Sequence, residues 1–250
     1  MEQQLFAALH LPPGSKVLDA GCGNGHVARY MARQGLRVTG IDVVERHARM
    51  ARQTAAESSS LEPGSLEVHH MDYHHLEPFE SASFDGAYTM ETVVHAVDPE
   101  AVLAGFFRLL RPGGRVAMHE YDNVLQQDAS ASPPPGKIND RLRRSMAQVN
   151  EWSAMPTNAI SSPGAFKHML ERAGFVDVEV RDLSENIVPM TRFFFALAIV
   201  PFLIISLLGL ERYFINTVAG VQSYRGRGCW RYIQISARKP ETPSGSSAAR

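Results

Sequence analysis

The chain of 250 residues is 44% hydrophobic and has a formal net charge of −1. This length and composition predict one α/β domain with insertions and a sizeable core. Lysine and arginine are scattered apart from the short group Arg141, Arg143 and Arg144, so we expect no nucleic-acid substrate. Two cysteines are too few for a disulfide framework, and the N-terminus lacks the features of a secretory signal, so we expect a cytoplasmic protein.

The first predicted element is a short helix, Met1–Leu11, and the stretch Val17–Gly25 follows it as Val-Leu-Asp-Ala-Gly-Cys-Gly-Asn-Gly. This pattern predicts a buried strand, a glycine turn and a helix beginning at His26. Glycines let a ligand lie against the main chain, and the first N–H groups of a helix are free to donate. Asp19 suits a ligand that brings an ammonium or sulfonium group. The spacing D-x-G-x-G-x-G matches the dinucleotide fingerprint poorly.

From Lys16 to Tyr121, apolar strands alternate with helices. The strands end at Leu18 and Ile41 or span Leu66–Met71, Asp85–Met90 and Arg115–His119, and the helices begin at His26 or span Glu45–Ala56 and Ala101–Leu110. This alternation predicts a parallel sheet with right-handed crossovers, in which ligands sit at the carboxyl ends of the strands. Acidic residues follow the predicted strands at Asp19, Asp42, Asp72, Glu91 and Glu120.

After Tyr121 the regular alternation stops. The polar, proline-rich loop Gln126–Lys137 and a helix over Ile138–Trp152 predict a lid insertion. The remaining predicted elements are a helix over Pro163–Ala173, a strand over Phe175–Val180, a last antiparallel strand over Trp230–Ala237 and a disordered tail over 240–250.

The segment Phe193–Leu210 contains eighteen residues without a charge, which is long enough to be considered a transmembrane helix. If Trp230–Ala237 pairs with Phe175–Val180, both flanks of this segment lie on one side of any bilayer, so a single span is excluded. Pro201 favours a broken shape, such as a shallow hairpin. Three interpretations remain open: peripheral contact with an internal membrane, an apolar lid over the substrate, and a buried core helix.

Val17–Gly25 resembles motif I of class I S-adenosylmethionine-dependent methyltransferases, and Leu110–Arg115 is similar to the turn before strand five of that family. Glu91–Ala96, His119–Tyr121 and Ala237–Pro240 resemble sterol 24-C-methyltransferases and their small-molecule relatives, the methyltransferase type 11 group. The resemblance implies an α/β, Rossmann-like, seven-stranded, mostly parallel sheet with an antiparallel last strand and helices on both faces. The implied core is 1–123, 161–185 and 226–239, with a lid insertion at 124–160 and an apolar insertion at 186–225.

The resemblance also implies the cofactor S-adenosyl-L-methionine. Asp42 is the acidic residue expected to accept both ribose hydroxyls. The implied cofactor-binding residues are Asp19, Gly21, Cys22, Gly23, Gly25, Asp42, Val43, Asp72, Tyr73 and Glu91. The leading functional hypothesis is methyl transfer to carbon, oxygen or nitrogen of a lipophilic small molecule that is sterol-like, prenylated or of polyketide type. The alternatives are a cyclase or isomerase that keeps the methyl group on the cofactor, and a membrane-bound adaptor that binds no cofactor.

Methyl transfer is a displacement, so alignment of donor and acceptor with water excluded supplies most of the acceleration. A hydroxyl, amine or activated carbon acceptor must also lose a proton, and Glu91, His95 and Glu120 are the candidate catalytic residues. Two other interpretations stay open, because His95 can cap or pack a helix and Glu91 can orient the ammonium group of the cofactor.

The histidines His69, His70, His74 and His75 form two adjacent pairs. Adjacent side chains on a strand point to opposite faces, so neither pair converges on one ion and we expect no metal site. Tyr73 or His74 is expected to pack beside the adenine.

Overall fold

The structure, a computed structural model, describes residues 1–58, 64–125 and 140–241. The predicted loop Gln126–Lys137 and most of the predicted tail lie outside these residues. The first half contains α1 (Glu2–Leu9), β1 (Lys16–Ala20), α2 (His26–Arg33), β2 (Arg37–Asp42), α3 (Glu45–Ser58), β3 (Ser65–His70), β4 (Phe84–Met90), α4 (Pro99–Leu109) and β5 (Leu110–Asn123). The second contains α5 (Asp140–Trp152), α6 (Pro156–Ile160), α7 (Ala165–Arg172), β6 (Val176–Asp182), α8 (Ser184–Leu207), α9 (Ile215–Arg225) and β7 (Trp230–Arg238). Short 3₁₀ turns lie at Val93–His95 and Glu211–Tyr213.

The described strands form one seven-stranded sheet in the order β3-β2-β1-β4-β5-β7-β6. Neighbouring strands from β3 to β5 are parallel, and β7 runs antiparallel to both β5 and β6. The predicted Rossmann-like architecture is therefore confirmed. The strand order reverses between β1 and β4, which is where such sheets bind ligands at the carboxyl ends of their strands.

Apolar side chains cover both faces of the sheet. On one face Phe106 of α4 and Leu170 of α7 belong to a buried cluster with Leu18 of β1. On the other face Leu5 of α1 and Met31 of α2 belong to a second cluster with β1, β4 and β5. Full burial of a large apolar side chain contributes roughly 1.5 to 3 kcal/mol, so these two layers fix the positions of the strand ends.

The helices α5, α6, α8 and α9, called the helical cap below, lie over the carboxyl edge of the sheet. Val149 of α5, Phe202 of α8, and Val218 and Val221 of α9 form an apolar cluster that joins three of these helices. The helices α6 and α9 were not predicted from the sequence.

The helix α8 differs from the predicted broken hairpin. It is continuous from Ser184 to Leu207 although Pro201 lies inside it, so the predicted break is wrong. A proline within a helix costs about 3 kcal/mol, and burial of Phe202 and Ile205 in the following turn offsets that cost. Only 11% of the most apolar 18-residue window is buried, so the buried-core interpretation is also wrong. By length and composition alone α8 could cross a membrane. The predicted antiparallel pairing of the last strand is confirmed, which leaves both flanks of the segment in one sheet.

Candidate functional site

The glycine turn between β1 and α2 is held against β2 and against the segment that follows β4. The N–H groups of Gly21 and Cys22 both donate to the Ile41 carbonyl, at 2.8 and 2.9 Å. Gly21 has a φ of +89°, and a Cβ there would lie 2.6 Å from the Thr92 side chain, so this position requires glycine. Gly23 also has a positive φ, but a Cβ there would meet open space. The main chain at Gly23 is therefore the part of the turn that a ligand can approach.

Two further residues of the turn, Gly25 and Cys22, serve packing. Gly25 precedes α2 with a φ of +82°, and a Cβ there would lie 3.0 Å from Ala51 of α3. The Cys22 side chain is buried in a cluster with Ala48 and Val68. Burial raises the pKa of the Cys22 thiol, which keeps it protonated. Cys22 thus contributes only main-chain atoms to the rim at which the cofactor is expected.

Asp42, at the end of β2, is held rigidly beside this turn. Its Oδ2 accepts a hydrogen bond from the Gly23 N–H at 2.9 Å, and its Oδ1 accepts one from the Val44 N–H at 2.8 Å. Oδ2 keeps a second acceptor position, and the exposed His47 ring places its Nδ1 3.4 Å from Oδ1. A carboxylate with two acceptor oxygens suits two neighbouring hydroxyl groups of a ribose. The Val43 side chain beside it is 60% exposed and offers an apolar surface for a base.

Asp19, on β1, is buried next to the same glycine turn. Burial, with a smaller contribution from the Asp42 charge, raises the pKa of Asp19 to about 7, and the nearby Tyr88 hydroxyl opposes the shift. The Asp19 Oδ2 and the Tyr88 hydroxyl nevertheless do not meet in the geometry of a hydrogen bond, so this buried oxygen has no partner. A cationic ligand group would supply the missing partner. Asp19, the open main chain of Gly23 and the oriented Asp42 together fit S-adenosylmethionine.

The segment after β3 is tied to the segment after β4. Asp72 accepts hydrogen bonds from the N–H and the ring Nδ1 of His74, at 2.8 and 2.7 Å. Burial raises the pKa of Asp72, but the hydrogen bonds from His74 outweigh burial and lower it overall. The ring Nε2 of His74 accepts from the Val97 N–H, and the Tyr73 hydroxyl donates to the Thr92 carbonyl at 3.0 Å. The adenine contact of Tyr73 or His74 stays a prediction.

Glu91, directly after β4, is fixed by two phenols. Its carboxylate accepts a hydrogen bond from Tyr121 of β5 at 2.6 Å and one from Tyr232 of β7 at 2.9 Å. Glu91 has a φ of 59°, a strained conformation that non-glycine residues retain mainly where the surroundings enforce it. Burial raises the pKa of both phenols, so they remain donors. Neither carboxylate oxygen is free of a donor.

His95 has a defined orientation. Its ring Nδ1 lies 2.9 Å from the Ala154 carbonyl oxygen, which can only accept a hydrogen bond. Nδ1 therefore carries the proton, and in the neutral ring Nε2 is an acceptor. The segment 93–95 that carries His95 forms a 3₁₀ turn, and His95 lines the cavity described below.

Glu120 lies inside the protein and braces that turn. It is fully buried, and its carboxyl accepts hydrogen bonds from the Val93 N–H at 2.9 Å and from the Thr89 hydroxyl at 3.1 Å. Burial raises the pKa of Glu120 to about 8. Thr92, in the same turn, donates its hydroxyl to the Ala20 carbonyl at the glycine turn. This geometry favours a positioning role for Glu120 over the predicted catalytic one.

A cavity of about 780 Å³ lies between the helical cap and the strand ends. Its wall at the sheet includes Glu91, His95 and Tyr121, and its wall at the cap includes Met146 and Val149 of α5 together with Ile187, Met190, Thr191, Phe194, Leu197 and Pro201 of α8. A smaller cleft of about 580 Å³, lined by Arg143 and Arg144, adjoins it through Asn123 and Asn150. The cofactor rim is formed by Asp19, Gly23 and Asp42. Glu91 connects the cavity to this rim, because its neighbour Thr92 contacts the glycine turn.

Tyr232 was not predicted as a site residue, and its hydroxyl reaches Glu91 from a strand 141 positions away along the chain. The only signal was the cross-strand pair that Tyr232 forms with Tyr121, and strand register cannot be read from one sequence. Of the histidines considered for a metal, His69 contacts Glu67 and His70 contacts Glu45. In the part of the chain that the structure describes, no group of three or more His, Cys, Asp or Glu side chains is placed to hold a metal ion.

Residues 18–118 match the family model described as a methyltransferase domain. The chain is 43% identical over 240 residues to an S-adenosyl-L-methionine-dependent Diels-Alderase, iccD, of Talaromyces variabilis, covering 96% of this chain and 80% of that protein. It is 31% identical over 194 residues to the O-methyltransferase resE of Aspergillus sclerotiorum, covering 77% of this chain and 67% of that protein. The solved structure of the 4+2 cyclase SpnF superposes with a TM-score of 0.70 at 22% identity, covering 96% of this chain and 81% of that one.

These relatives correct one prediction and confirm a broader one. Their names are those of cyclases and O-methyltransferases, so the finer resemblance to sterol 24-C-methyltransferases is not supported. The fold, the matched domain and the 43% identity agree with the broader resemblance, and S-adenosylmethionine is the cofactor of that family. The chain belongs to the S-adenosylmethionine-dependent methyltransferase family.

Proposed function

We propose that this protein is an S-adenosylmethionine-binding cyclase of methyltransferase fold, which closes rings in a lipophilic, polyketide-type secondary metabolite and leaves the methyl group on the cofactor. The observation that carries the proposal is the 43% identity, over nearly the whole chain, to a relative named as a Diels-Alderase. The structure of the cavity supports it further.

The two carboxyl groups nearest the cavity are engaged by protein donors, and neither is presented as a free base for the removal of a proton. Glu91 accepts hydrogen bonds from two phenols, and the Glu120 carboxyl is buried in the turn below. A 4+2 cycloaddition needs no such base, because two carbon–carbon bonds form as three π bonds become one and no atom or electron leaves. Among the polar groups of the cavity wall, His95 Nε2 is the one placed to accept a proton or a hydrogen bond from a substrate.

The cavity instead supplies shape. A volume of about 780 Å³ lies in the usual range of about 300 to 1,000 Å³ for small-molecule sites, and hydrocarbon side chains from three helices of the cap line it. When a flexible polyene is folded in the cavity, its diene and dienophile are held close together. Binding then supplies the loss of entropy that would otherwise form a large part of the reaction barrier. Hydrocarbon of the helical cap that displaces water from a bound substrate would strengthen any polar contact to it.

Residues of the rim would hold the cofactor next to this cavity. Asp42 would accept the ribose hydroxyls, the Gly23 main chain would lie against the ligand, and Asp19 would face a cationic group. When bound, S-adenosylmethionine supplies a fixed positive sulfonium charge. On the substrate side, His95 Nε2 would accept a hydrogen bond from a substrate N–H or O–H and fix its orientation.

Methyl transfer to oxygen, nitrogen or carbon of a lipophilic small molecule is the second candidate. It is supported by the relative named as an O-methyltransferase and by His95 Nε2, the acceptor nitrogen of the neutral ring, which would take the proton of an acceptor hydroxyl. The two candidates use the same rim and cavity, and they differ in whether the substrate gains mass.

The experiment incubates purified protein with cofactor carrying an isotopically labelled methyl group and with a lipid extract of cells from which the gene has been deleted. Mass spectrometry should find a substrate converted to a product of equal mass without label, and no S-adenosylhomocysteine. Sinefungin, which keeps a positive charge but has no transferable methyl group, should sustain the conversion. A labelled product accompanied by S-adenosylhomocysteine would replace the cyclase proposal with methyl transfer.

A further inference from the structure

The outward side of α8 is an apolar surface that no described part of the chain covers. Phe193, Val200, Leu203, Ile204 and Leu207 are exposed by 63, 63, 57, 56 and 86%, and none of them lines the cavity. Their spacing of seven and then three or four residues places them on one side of the helix, called the outer face of α8 below. Contiguous apolar surface of this kind on a folded protein marks an interaction site.

Basic side chains border this surface. The segment Phe193–Leu210 has no charge and Arg192 precedes it. Glu211, whose carboxylate accepts a hydrogen bond from the Ser206 hydroxyl at 2.9 Å, and then Arg212 follow it. An apolar helix face with arginines at both ends complements a lipid surface with anionic headgroups, because hydrocarbon enters the acyl region while guanidinium groups remain among the phosphates.

The cavity opens beside the outer face. Met190, Phe194 and Leu197 line the cavity and are also 49, 48 and 65% exposed, so they form its mouth on α8. A second copy of the chain bound firmly at the outer face would cover this mouth. A fluid bilayer leaves it open and contains the lipophilic molecules that fit the cavity.

We propose that the outer face of α8 rests on the surface of an anionic lipid bilayer, with the cavity mouth open to the lipid. The helix lies on the bilayer and does not cross it, because β6 before α8 and β7 after α9 pair in one sheet. Membrane contact stands on the surface itself, whereas entry of the substrate from the lipid rests on the proposed function. The protein is thus peripheral on a membrane.

Vesicle flotation tests the membrane contact. Wild-type protein should float with vesicles of phosphatidylcholine and phosphatidylserine, and less with phosphatidylcholine alone. The double variant Leu203→Glu, Leu207→Glu should lose at least about tenfold in vesicle affinity, because carboxylates are expensive to bury in lipid. Val97→Glu is the control for an added surface charge, since Val97 is 83% exposed and lies in the segment before α4 and not on α8, and this variant should float like wild type. Unchanged circular dichroism and cofactor affinity show that the double variant is folded.

Two results would overturn the proposal. One is wild-type protein that floats with neither vesicle, and the other is a wild-type dimer in light scattering that the double substitution dissociates, which would assign the outer face to a second copy.

A second assay separates entry of the substrate from catalysis. The gene-deletion extract is presented either in detergent micelles or dissolved in the bilayer of vesicles. The double variant should convert the substrate more slowly than wild type only in the vesicles. Equal rates in vesicles overturn the entry route, whereas no conversion by wild type in either form removes the cyclase proposal and leaves the flotation result standing.

Discussion

The cofactor rim and the cavity under the helical cap are lined by different kinds of groups. At the rim, Asp42 is fixed by the N–H groups of Gly23 and Val44, and Asp19 keeps one buried oxygen for a cation. The cavity is walled mostly by hydrocarbon, with Glu91 and His95 as its acidic and basic side chains. The rim therefore selects its ligand by fixed hydrogen bonds and charge, and the cap selects by shape. Changes in the cap can alter the reaction while the rim keeps the same cofactor, in keeping with relatives named both as cyclases and as O-methyltransferases.

The largest expected effect comes from filling the cavity without touching the rim. Thr191→Trp places an indole in the cavity wall on α8, which should lower conversion by at least about a hundredfold because the reacting chain loses its folded geometry. Cofactor affinity in calorimetry should stay within about twofold of wild type. The control Val200→Trp adds the same side chain on the outer face and should keep normal turnover in detergent. A Thr191→Trp variant with full activity would show that the reaction takes place elsewhere.

The converse change breaks the rim and leaves the cavity intact. Asp42→Ala removes an acceptor of charge-assisted hydrogen bonds, each worth roughly 1.5 to 3 kcal/mol. Calorimetric titration should show at least about a tenfold loss of affinity for S-adenosylmethionine, since 1.4 kcal/mol corresponds to one decade. Asp42→Asn, which retains one carbonyl acceptor, should lose less. Unchanged affinity in Asp42→Ala would refute the ribose assignment, and absence of binding in wild type would favour the adaptor hypothesis.

The turn braced by Glu120 connects the two regions, and its stability should depend on pH. The folded pKa of about 8 lies above the ordinary value of 4.5, so between these values the folded protein keeps a proton that the unfolded chain has lost. Stability should therefore fall as pH rises from about 4.5 to 8, with a contribution of at most roughly 1.4 kcal/mol per pH unit. Asp19, with a folded pKa of about 7, acts in the same direction.

Thermal melts of Glu120→Gln check this contribution. The neutral amide should keep an acceptor for the Val93 N–H and should flatten the decline in melting temperature between pH 5 and pH 8 relative to wild type. Asp19 is unchanged in this variant, so a shallower slope should remain. Parallel melting curves for the variant and wild type would mean that Glu120 is already ionised in the folded protein.

The sequence predicted the rim better than the cap for a physical reason. Gly21, Gly23 and Asp42 lie within one local β-turn-α pattern and the next strand end, where backbone conformation and charge are set by near neighbours. The shape of α8 depends on α9 packing against it, and the hydrogen bond from Tyr232 to Glu91 joins residues 141 positions apart. Such contacts follow from tertiary packing and strand register, which local periodicity does not encode.

The smallest expected effect is the one that best separates the two candidate reactions. His95→Ala removes the Nε2 acceptor of the cavity wall, while the Glu120-braced main chain of the turn stays in place. In a cyclase this loss removes one orienting hydrogen bond, worth about 1 kcal/mol, so conversion should fall by less than about tenfold. In a methyltransferase that uses His95 as the general base, the same change should lower turnover by about a hundredfold or more. Cofactor affinity should stay within a few-fold in either case, because the side chain acts on the substrate side.

His95→Gln, which restores a hydrogen-bond acceptor but no useful base, should recover much of the cyclisation rate and none of a methyl-transfer rate. A deep loss in both variants would therefore contradict the cyclase proposal.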